Sequence, residues 1–350
     1  MSCKRTVLLL AVMIIAVHLF YSSQLKDSSL RSSGDVMQPK PAPPTQARIQ
    51  NDILKTLQHL DITAPSETHW EKVSNATIKK TYYARKPHIV YTGIPKAGCT
   101  NWKYTILNIE LPFPRFPRFQ HTHRVPKPRG PIVHEMMQVL GLAYKFPKPA
   151  GRMHLNQKFS FTVIRNPWTR MVSGYTDKLQ SRMIVSHWGN LTSDILNKYR
   201  RKKGERLYLL RDLTKEGGLS LRVTFLEFLK YLADIAIEEV DDHFKPQYKM
   251  LGLANVKYDY MGALEHAQIQ SKEILKHFKL PGAKSITVLR GSYDSESDPR
   301  LESSTLLAKE WFSTVPQGLI DRLYNKYKPD FMIYNYSNFT HDLFPFPLPE

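Results

Sequence analysis

Two segments of this chain follow the same order of strand, tight loop and helix, and this order constrains the fold more than any other feature. The first segment runs from residues 88–91 through the loop GIPKAGC into a helical pattern that ends near residue 109. The second is the run FSFTVI at 159–164, which RNPWTR follows directly. Strands that alternate with helices predict a parallel sheet flanked by helices, which is an α/β fold.

The loop after the first strand has the character of an anion-binding site. Lys96 stands before the small residues Ala97 and Gly98, and a helix is predicted to begin directly after them. The N-terminus of a helix directs backbone N–H groups and a positive dipole toward an anion. The loop is therefore P-loop-like in position. Its sequence differs from G-x-x-x-x-G-K-[ST], in which the lysine follows the glycines, and this disfavours an ordinary nucleoside triphosphatase.

The second segment places Arg165 where its strand ends, with Pro167 in the first helical turn and Ser173 further along the helix. Ligands of parallel sheets bind at the carboxyl ends of the strands, so Lys96 and Arg165 are expected at one edge of the sheet. A guanidinium group with a serine hydroxyl suits a terminal phosphate. Two cationic elements at one edge predict a ligand that carries two separate anionic groups.

The net charge of +19 predicts a polyanionic partner, which could be nucleic acid, a membrane surface or an acidic polysaccharide. Basic residues at 4–5 precede a mostly apolar stretch at 6–21. This pattern predicts a signal-anchor helix with a cytoplasmic tail at 1–5 and a luminal remainder, with a cleaved signal peptide as the alternative. Four glycosylation sequons support a luminal protein and argue against a nucleic acid partner; they begin at Asn75, Asn190, Asn335 and Asn338.

The luminal part is predicted to consist of a stem at 22–81 and one compact domain at 82–340. Apolar residues at helical spacing within 46–60 predict an amphipathic helix, which either packs on the domain or extends the stem. Thr224 and Glu227 have the spacing of a capping box, which predicts that a helix begins there.

The two loop motifs resemble those of the Golgi carbohydrate sulfotransferases. PKAGCTNWK at 95–103 resembles their 5′-phosphosulfate loop, and RNPWTRMVS at 165–173 resembles their 3′-phosphate motif, R-[DEN]-P-[FW]-x-R-[ML]-[VI]-S. The group that is most similar includes chondroitin and dermatan 4-O-sulfotransferases and the sulfotransferase of the natural-killer glycan epitope. Weaker matches extend the resemblance over residues 85–336; they are TFLEF at 224–228, DHF at 242–244, YDYMG at 258–262 with Glu265, and YKPDF at 327–331.

This resemblance implies a sulfotransferase fold, a location in the Golgi membrane and the donor 3′-phosphoadenylyl sulfate, whose two anionic groups suit the two motifs. The implied phosphosulfate contacts are Pro95, Lys96, Ala97, Gly98, Cys99, Thr100 and Asn101. The implied 3′-phosphate contacts are Arg165, Asn166, Pro167, Trp168, Thr169, Arg170 and Ser173. Lys96 would stabilise the charge that develops during sulfuryl transfer. No metal is required, and the sequence has no ligand cluster at metal spacing.

The acceptor hydroxyl is expected to need a general base, for which histidine is suited near neutral pH. His243 lies in the segment that resembles a His-Trp motif of the group, and His134 lies between the two donor motifs. His243 is the preferred candidate, and each histidine also fits a structural or surface role. Cys99 is expected to be a packed loop residue and not a nucleophile, because the sequence places no base beside it.

The resemblance implies an acidic glycan acceptor of chondroitin, dermatan or N-glycan type, with the 4-hydroxyl of N-acetylgalactosamine as the leading site. The chain departs from the group where a C-x-x-C is usual, because Leu251 and Ala254 stand at those positions. A lectin-like relative without activity and a nucleotide kinase are the rival hypotheses. The intact Lys96, Arg165 and Ser173 argue against the lectin, since a binding domain needs no donor motifs.

Two charged surface features remain open to a plain structural interpretation. The basic run KYRRKKGER at 198–206 fits a polyanion-binding surface and a solvated helix face equally well. Asp177 and Lys178, which follow Ser173 along the helix, are interpreted as ordinary helix surface.

Overall fold

A computed structural model describes residues 45–84, 88–110, 133, 137–138, 149–180, 186–205, 222–277, 299–334 and 336. The strands are β1 (Thr81–Ala84), β2 (Ile89–Gly93), β3 (Phe159–Ile164) and β4 (Tyr260–Ala263). The helices are α1 (Gln46–His59), α2 (Asn75–Ile78), α3 (Cys99–Glu110), α4 (Pro167–Lys178), α5 (Ser186–Tyr199), α6 (Phe225–Asp234), α7 (Gln247–Leu251), α8 (Ala267–His277), α9 (Pro299–Phe312) and α10 (Gln317–Ile333). Short 3₁₀ helices lie at Trp70–Lys72, Pro149–Leu155, Ile237–Glu239 and Leu264–His266.

The four strands form one sheet in the order β1-β2-β3-β4. Strands β2, β3 and β4 are parallel, with Gly93 opposite Val163 and Ile164 opposite Ala263. Their carboxyl ends therefore lie at one edge, and the predicted α/β fold with a parallel sheet flanked by helices is confirmed. Strand β1 pairs with β2 in the antiparallel direction, so the sheet is mixed. This antiparallel edge strand was not expected from the sequence.

Both faces of the sheet are buried, as a parallel sheet requires. On one face, aromatic rings of β2, β3 and α3 pack together: Tyr91 stacks on Phe161 at 4.9 Å, and Trp102 meets Phe161 edge-on at 4.8 Å. The other face, which includes Val90 and Met261, belongs to a larger core that is formed with helices such as α1, α4, α6 and α10. Side chains along each strand alternate between the two faces, so a shift of one residue would move every side chain to the wrong face. This alternation determines the strand register.

Helix α1 is part of the core of the domain. Its residues Ile49, Ile53 and Leu57 are buried, and the Gln46 side chain exchanges hydrogen bonds with the backbone of Met261 in β4. Of the two positions considered for this helix, packing on the domain is therefore the one observed. The compact domain includes residues from 45 onward, so it begins well before the boundary predicted at residue 82.

Local signals at the helix starts have the predicted effect. Asn166 precedes α4 and accepts a hydrogen bond from the Trp168 backbone N–H at 2.9 Å, with Pro167 as the first helical residue. Thr224 and Glu227 form both hydrogen bonds of a capping box at the start of α6. The caps matter for function because α4 carries the second predicted donor motif.

The predicted tail, signal anchor and the stem up to residue 44 lie outside the described residues. In the part of the chain that the structure does describe, no helix combines the length and the apolar composition that crossing a membrane requires.

Replacing Ile49 with alanine should lower the free energy of unfolding by about 2–5 kcal/mol, because the side chain is fully buried and its loss leaves a cavity. Leu54→Ala on the same helix is the matched control; Leu54 is 45% exposed, and its loss should change stability by no more than about 0.5 kcal/mol. Urea unfolding followed by circular dichroism measures both. Equal midpoints for the two variants would show that α1 does not contribute to the core.

Candidate active site

The loop at 94–98, called the lysine loop below, connects β2 to α3 and has a constrained backbone. Lys96 has a φ of +67° and Gly98 a φ of +78°. A left-handed conformation costs a residue with a side chain about 1–2 kcal/mol, so other contacts must support it at Lys96. Two arginines do so: Arg165 Nη1 donates to the Lys96 carbonyl and Arg170 Nε donates to the Pro95 carbonyl, each at 3.0 Å.

Arg170 is fully buried and joins three parts of the chain. In addition to Pro95, its guanidinium donates to the carbonyls of Asp242 at 3.0 Å and Lys245 at 2.8 Å. Burial lowers the pKa of Arg170, and the neighbouring Asp330 counteracts this by raising it. Since three carbonyls occupy the guanidinium, Arg170 acts here as a framework residue, although the resemblance implied a contact with the 3′-phosphate.

Arg165 is also buried, but it keeps donor capacity for a ligand. Its Nε donates to Thr169 Oγ1 at 3.1 Å, and its backbone N–H donates to the side chain of Gln247 at 2.9 Å. Among the described residues, no hydrogen-bond partner is found for Nη2 of Arg165. Arg165 therefore combines support of the lysine loop with an available N–H group, which is compatible with the predicted phosphate contact.

Ser173 lies on α4 between the two cationic groups. Thr169, Ser173 and Asp177 are four residues apart, so they share one face of the helix. Thr169 contacts Arg165, and Asp177 accepts a hydrogen bond from Lys96 Nζ at 3.0 Å. The half-buried Ser173 thus lies one helical turn from each contact, and its contact with the 3′-phosphate stays a prediction.

Lys96 and Asp177 form an ion pair that the sequence analysis missed. Lys178 also contacts the Asp177 carboxylate, at 3.0 Å. Burial raises the pKa of Asp177, but the two lysines lower it more strongly, so the carboxylate stays ionised. Burial lowers the pKa of Lys96, and Asp177 raises it in part. The earlier interpretation of Asp177 as plain helix surface is therefore wrong, and its four-residue spacing from Ser173 was the available signal.

His243 forms a dyad with Asp241. The Nδ1 atom of His243 lies 2.9 Å from Asp241 Oδ1, which leaves Nε2 as the possible base. Burial lowers the pKa of His243, Asp241 raises it, and Lys178 and Lys96 lower it further, so the pKa lies below its ordinary value of 6.5. Arg170 links this segment to the lysine loop, because its guanidinium donates to the carbonyls of both Asp242 and Pro95.

A glycine and a tryptophan position the His243 segment. Gly174 of α4 faces this segment so closely that a Cβ atom there would lie 2.5 Å from the Phe244 ring. The imidazole of His243 also meets the indole of Trp188 edge-on at 5.0 Å. Gly174 and Trp188 were not predicted as site residues, because their contacts join segments that are distant in the chain. Asp241 was missed although it lies only two residues from His243.

The other residues of the two motifs have varied positions. Pro95, Cys99, Thr100 and Asn101 are half-buried and Ala97 is buried, and α3 begins at Cys99, so the first-turn N–H groups face the loop end of the sheet. Cys99 is a free cysteine at the first residue of α3, and its role as a packed residue that is not a nucleophile stays a prediction. Trp168 packs against Phe312 and Phe331, which gives it a structural role.

Several predicted residues lie elsewhere or are not described. Asn75 and Asn190 are exposed, while His134, Asn335 and Asn338 lie outside the described residues. In the basic run, Arg200 is tied to Glu227 of the capping box at 2.6 Å, so part of the run is structural. Among the described residues, no group of three or more His, Cys, Asp and Glu side chains is arranged to hold a metal. The absence of a metal from the reaction stays a prediction.

These contacts bring together the candidate anion-binding groups and the candidate base. The lysine loop, the start of α3, Arg165 and Ser173 lie at the carboxyl edge of the parallel strands, where α/β proteins bind ligands. Arg170 links them to the segment of His243 and Asp241, and the lowered pKa of His243 favours a neutral imidazole at neutral pH. The arrangement suits transfer of an anionic group to a hydroxyl that loses its proton.

Comparison with known proteins assigns the class. The sequence profile of the sulfotransferase family matches residues 79–337, so the chain belongs to this family. Carbohydrate sulfotransferase 12 of Mus musculus is 21% identical over 265 residues, which cover 71% of this chain and 58% of that protein. Carbohydrate sulfotransferase 14 of Mus musculus is 24% identical over 255 residues, which cover 71% and 57%. Carbohydrate sulfotransferase 10 of Danio rerio is 22% identical over 299 residues, which cover 81% and 74%.

The predicted resemblance to carbohydrate sulfotransferases is thereby confirmed. The chain spans just under three fifths of the length of the first two relatives. No solved structure matches the chain.

Replacing Arg170 with glutamine should lower the free energy of unfolding by about 3–5 kcal/mol, because buried carbonyls and Asp330 lose their cationic partner. Arg322→Gln is the matched control; the side chain of Arg322 is 58% exposed and pairs with Asp234 at the surface, so its loss should cost no more than about 1 kcal/mol. Chemical denaturation of both variants measures the difference. A loss of less than 1 kcal/mol for Arg170→Gln would contradict its framework role.

Proposed function

We propose that this chain is an enzyme that transfers the sulfuryl group of 3′-phosphoadenylyl sulfate to a hydroxyl of a glycosaminoglycan or related glycan. The observation that carries the proposal is that Arg170 binds both the lysine loop, at the Pro95 carbonyl, and the segment of the His243–Asp241 dyad, at the Asp242 carbonyl. The lysine loop follows β2 at the carboxyl edge of the parallel strands. Family membership and the carbohydrate sulfotransferases among the relatives support it.

The donor has two anionic groups, and the site has two cationic elements to receive them. The lysine loop and the start of α3 would hold the 5′-phosphosulfate, while Arg165 and Ser173 would hold the 3′-phosphate. In the reaction, the bond between the sulfate sulfur and the bridging phosphate oxygen breaks as the acceptor oxygen bonds to sulfur. Lys96 would stabilise the negative charge that develops on the leaving phosphate.

The acceptor hydroxyl must release its proton during transfer. The Nε2 atom of His243 would accept this proton, with Asp241 fixing the orientation of the ring through Nδ1. The lowered pKa of His243 keeps the imidazole neutral, and so able to act as a base, at neutral pH. The Lys96–Asp177 ion pair would be exchanged for a contact between Lys96 and the donor, since the carboxylate and the phosphosulfate compete for one ammonium group.

The finer proposal is that the acceptor is chondroitin or dermatan and the hydroxyl is O4 of N-acetylgalactosamine, with an N-glycan as the alternative. It rests on the motif resemblance. We also infer a single-pass protein of the Golgi membrane with its catalytic domain in the lumen, on the basis of the apolar stretch at 6–21 and the sequons, of which Asn75 and Asn190 are exposed.

Incubation of the protein with radiolabelled 3′-phosphoadenylyl sulfate and a panel of desulfated glycans tests the reaction. Label should appear on desulfated chondroitin or dermatan, and Lys96→Ala should reduce the rate by about 10²–10³-fold, as expected for loss of a charge-stabilising donor. Lys272→Ala, an exposed lysine on α8, should have the wild-type rate.

The same assay separates the parts of the proposal. Label on other glycans alone would overturn the acceptor assignment. Failure of the protein to bind an adenosine 3′,5′-bisphosphate resin would overturn the sulfotransferase assignment. A lectin-like protein would bind the glycans and not the resin.

The pH dependence of turnover tests the base. Because His243 must be neutral and its pKa is lowered, the rate should fall on acidification only below about pH 6.5. Asp241→Asn removes the group that raises this pKa, so the fall should move to lower pH and the plateau rate should drop. His243→Gln should reduce the rate by about 10²-fold or more. Wild-type turnover in His243→Gln would exclude it as the base.

A further inference from the structure

A second cationic site lies beside the candidate active site. The structure has a cleft of about 180 Å³ whose lining combines charged side chains with apolar surface, including that of Ile237 and Met250. We call it the basic cleft; its charged residues are Lys80, Glu238, Asp242, Lys245 and Lys249. The volume is below the roughly 300–1,000 Å³ of pockets that enclose whole ligands, so the basic cleft suits one charged group of a longer chain.

The basic cleft is joined directly to the active site. The Arg170 guanidinium that holds the lysine loop at Pro95 also holds the backbone carbonyls of Asp242 and Lys245, two residues of the cleft. The Lys80 carbonyl accepts a hydrogen bond from Gly93 at 2.8 Å, where β2 enters the loop. Asp242 directly precedes His243, so the cleft and the proposed base belong to one short segment.

The lysines of the basic cleft outnumber its carboxylates, so a net positive charge is available to bind an anion. Lys80 donates to Asp242, which Lys245 also approaches at 3.9 Å, and Lys249 lies 3.3 Å from Glu238. Three ammonium groups therefore face two carboxylates. The Glu238 side chain is 73% exposed. An ion pair between exposed side chains stabilises a protein by only about 0–1 kcal/mol, so a multivalent anion can replace Glu238 as the partner of Lys249.

We propose that the basic cleft binds an acidic group, a carboxylate or a sulfate, of the acceptor glycan. This inference rests on the proposed function and deepens it. The donor has its own cationic elements in the lysine loop and at Arg165, so the cleft serves the other substrate. An acidic group held by Lys249 and its neighbours anchors the glycan on one side of His243, and a hydroxyl of a nearby sugar then reaches the imidazole.

The test compares Lys249→Glu with Lys272→Glu in the full chain. Both variants change the net charge equally, and Lys272 is exposed on α8, which packs beside β4 at the other end of the sheet from the cleft. For desulfated chondroitin, which retains its uronate carboxylates, Lys249→Glu should raise KM about tenfold with the donor KM unchanged. For carboxyl-reduced chondroitin, which is neutral, Lys249→Glu should have the wild-type KM.

Two results would overturn the proposal: equal KM values for the two variants on the acidic acceptor, or an equal rise on the neutral one. Elution from immobilised chondroitin sulfate by salt gives a second readout that needs no turnover. Lys249→Glu should elute at lower salt than Lys272→Glu. If the wild type binds the donor resin but transfers no sulfate to any glycan, the proposed function fails. The elution comparison then still tests glycan binding by the basic cleft. Equal elution of the two variants would overturn this binding, and earlier elution of Lys249→Glu would support it.

Discussion

The arrangement of the candidate site depends on the hydrogen bonds of the buried Arg170 guanidinium. A buried cation is costly unless it is paired and fully hydrogen-bonded. Arg170 meets this requirement with the carbonyls of Pro95, Asp242 and Lys245. The hydrogen bonds that stabilise this one buried charge thereby join the loop that carries Lys96 to the segment that carries His243. These elements are far apart in the chain, and no hydrogen bond of a sheet or helix connects them directly.

The positions of Lys96 and Arg165 could be predicted from the sequence because both follow buried strands. A parallel arrangement of two such strands brings their ends to one edge by geometry alone. The helix starts could also be predicted from the sequence: Asn166 before Pro167 marks the start of α4, and Thr224 with Glu227 marks the start of α6. In each case the signal lies within a few neighbouring residues, which is the range over which sequence patterns determine backbone conformation.

The remainder depends on contacts between distant segments, which no local pattern encodes. Asp177 belongs to the site because Lys96 of the lysine loop donates a hydrogen bond to it, although the two residues are 81 positions apart in the chain. Arg170 matched the motif by residue type, yet its three carbonyl partners become apparent only in the folded chain. The antiparallel β1 and the burial of α1 are likewise decided by tertiary packing, which overrides the weak local preference of a short strand or helix.

The packing of α1 also determines where the compact domain can be detached from the proposed membrane anchor. Helix α1 lies within the segment that was predicted to be stem and precedes β1, and its residues Ile49, Ile53 and Leu57 are buried in the main core. A protease that released a functional enzyme into the secretory lumen would therefore have to cut before residue 45. Cleavage between α1 and β1 would leave the donor motifs intact in sequence but remove a wall of the domain that carries them.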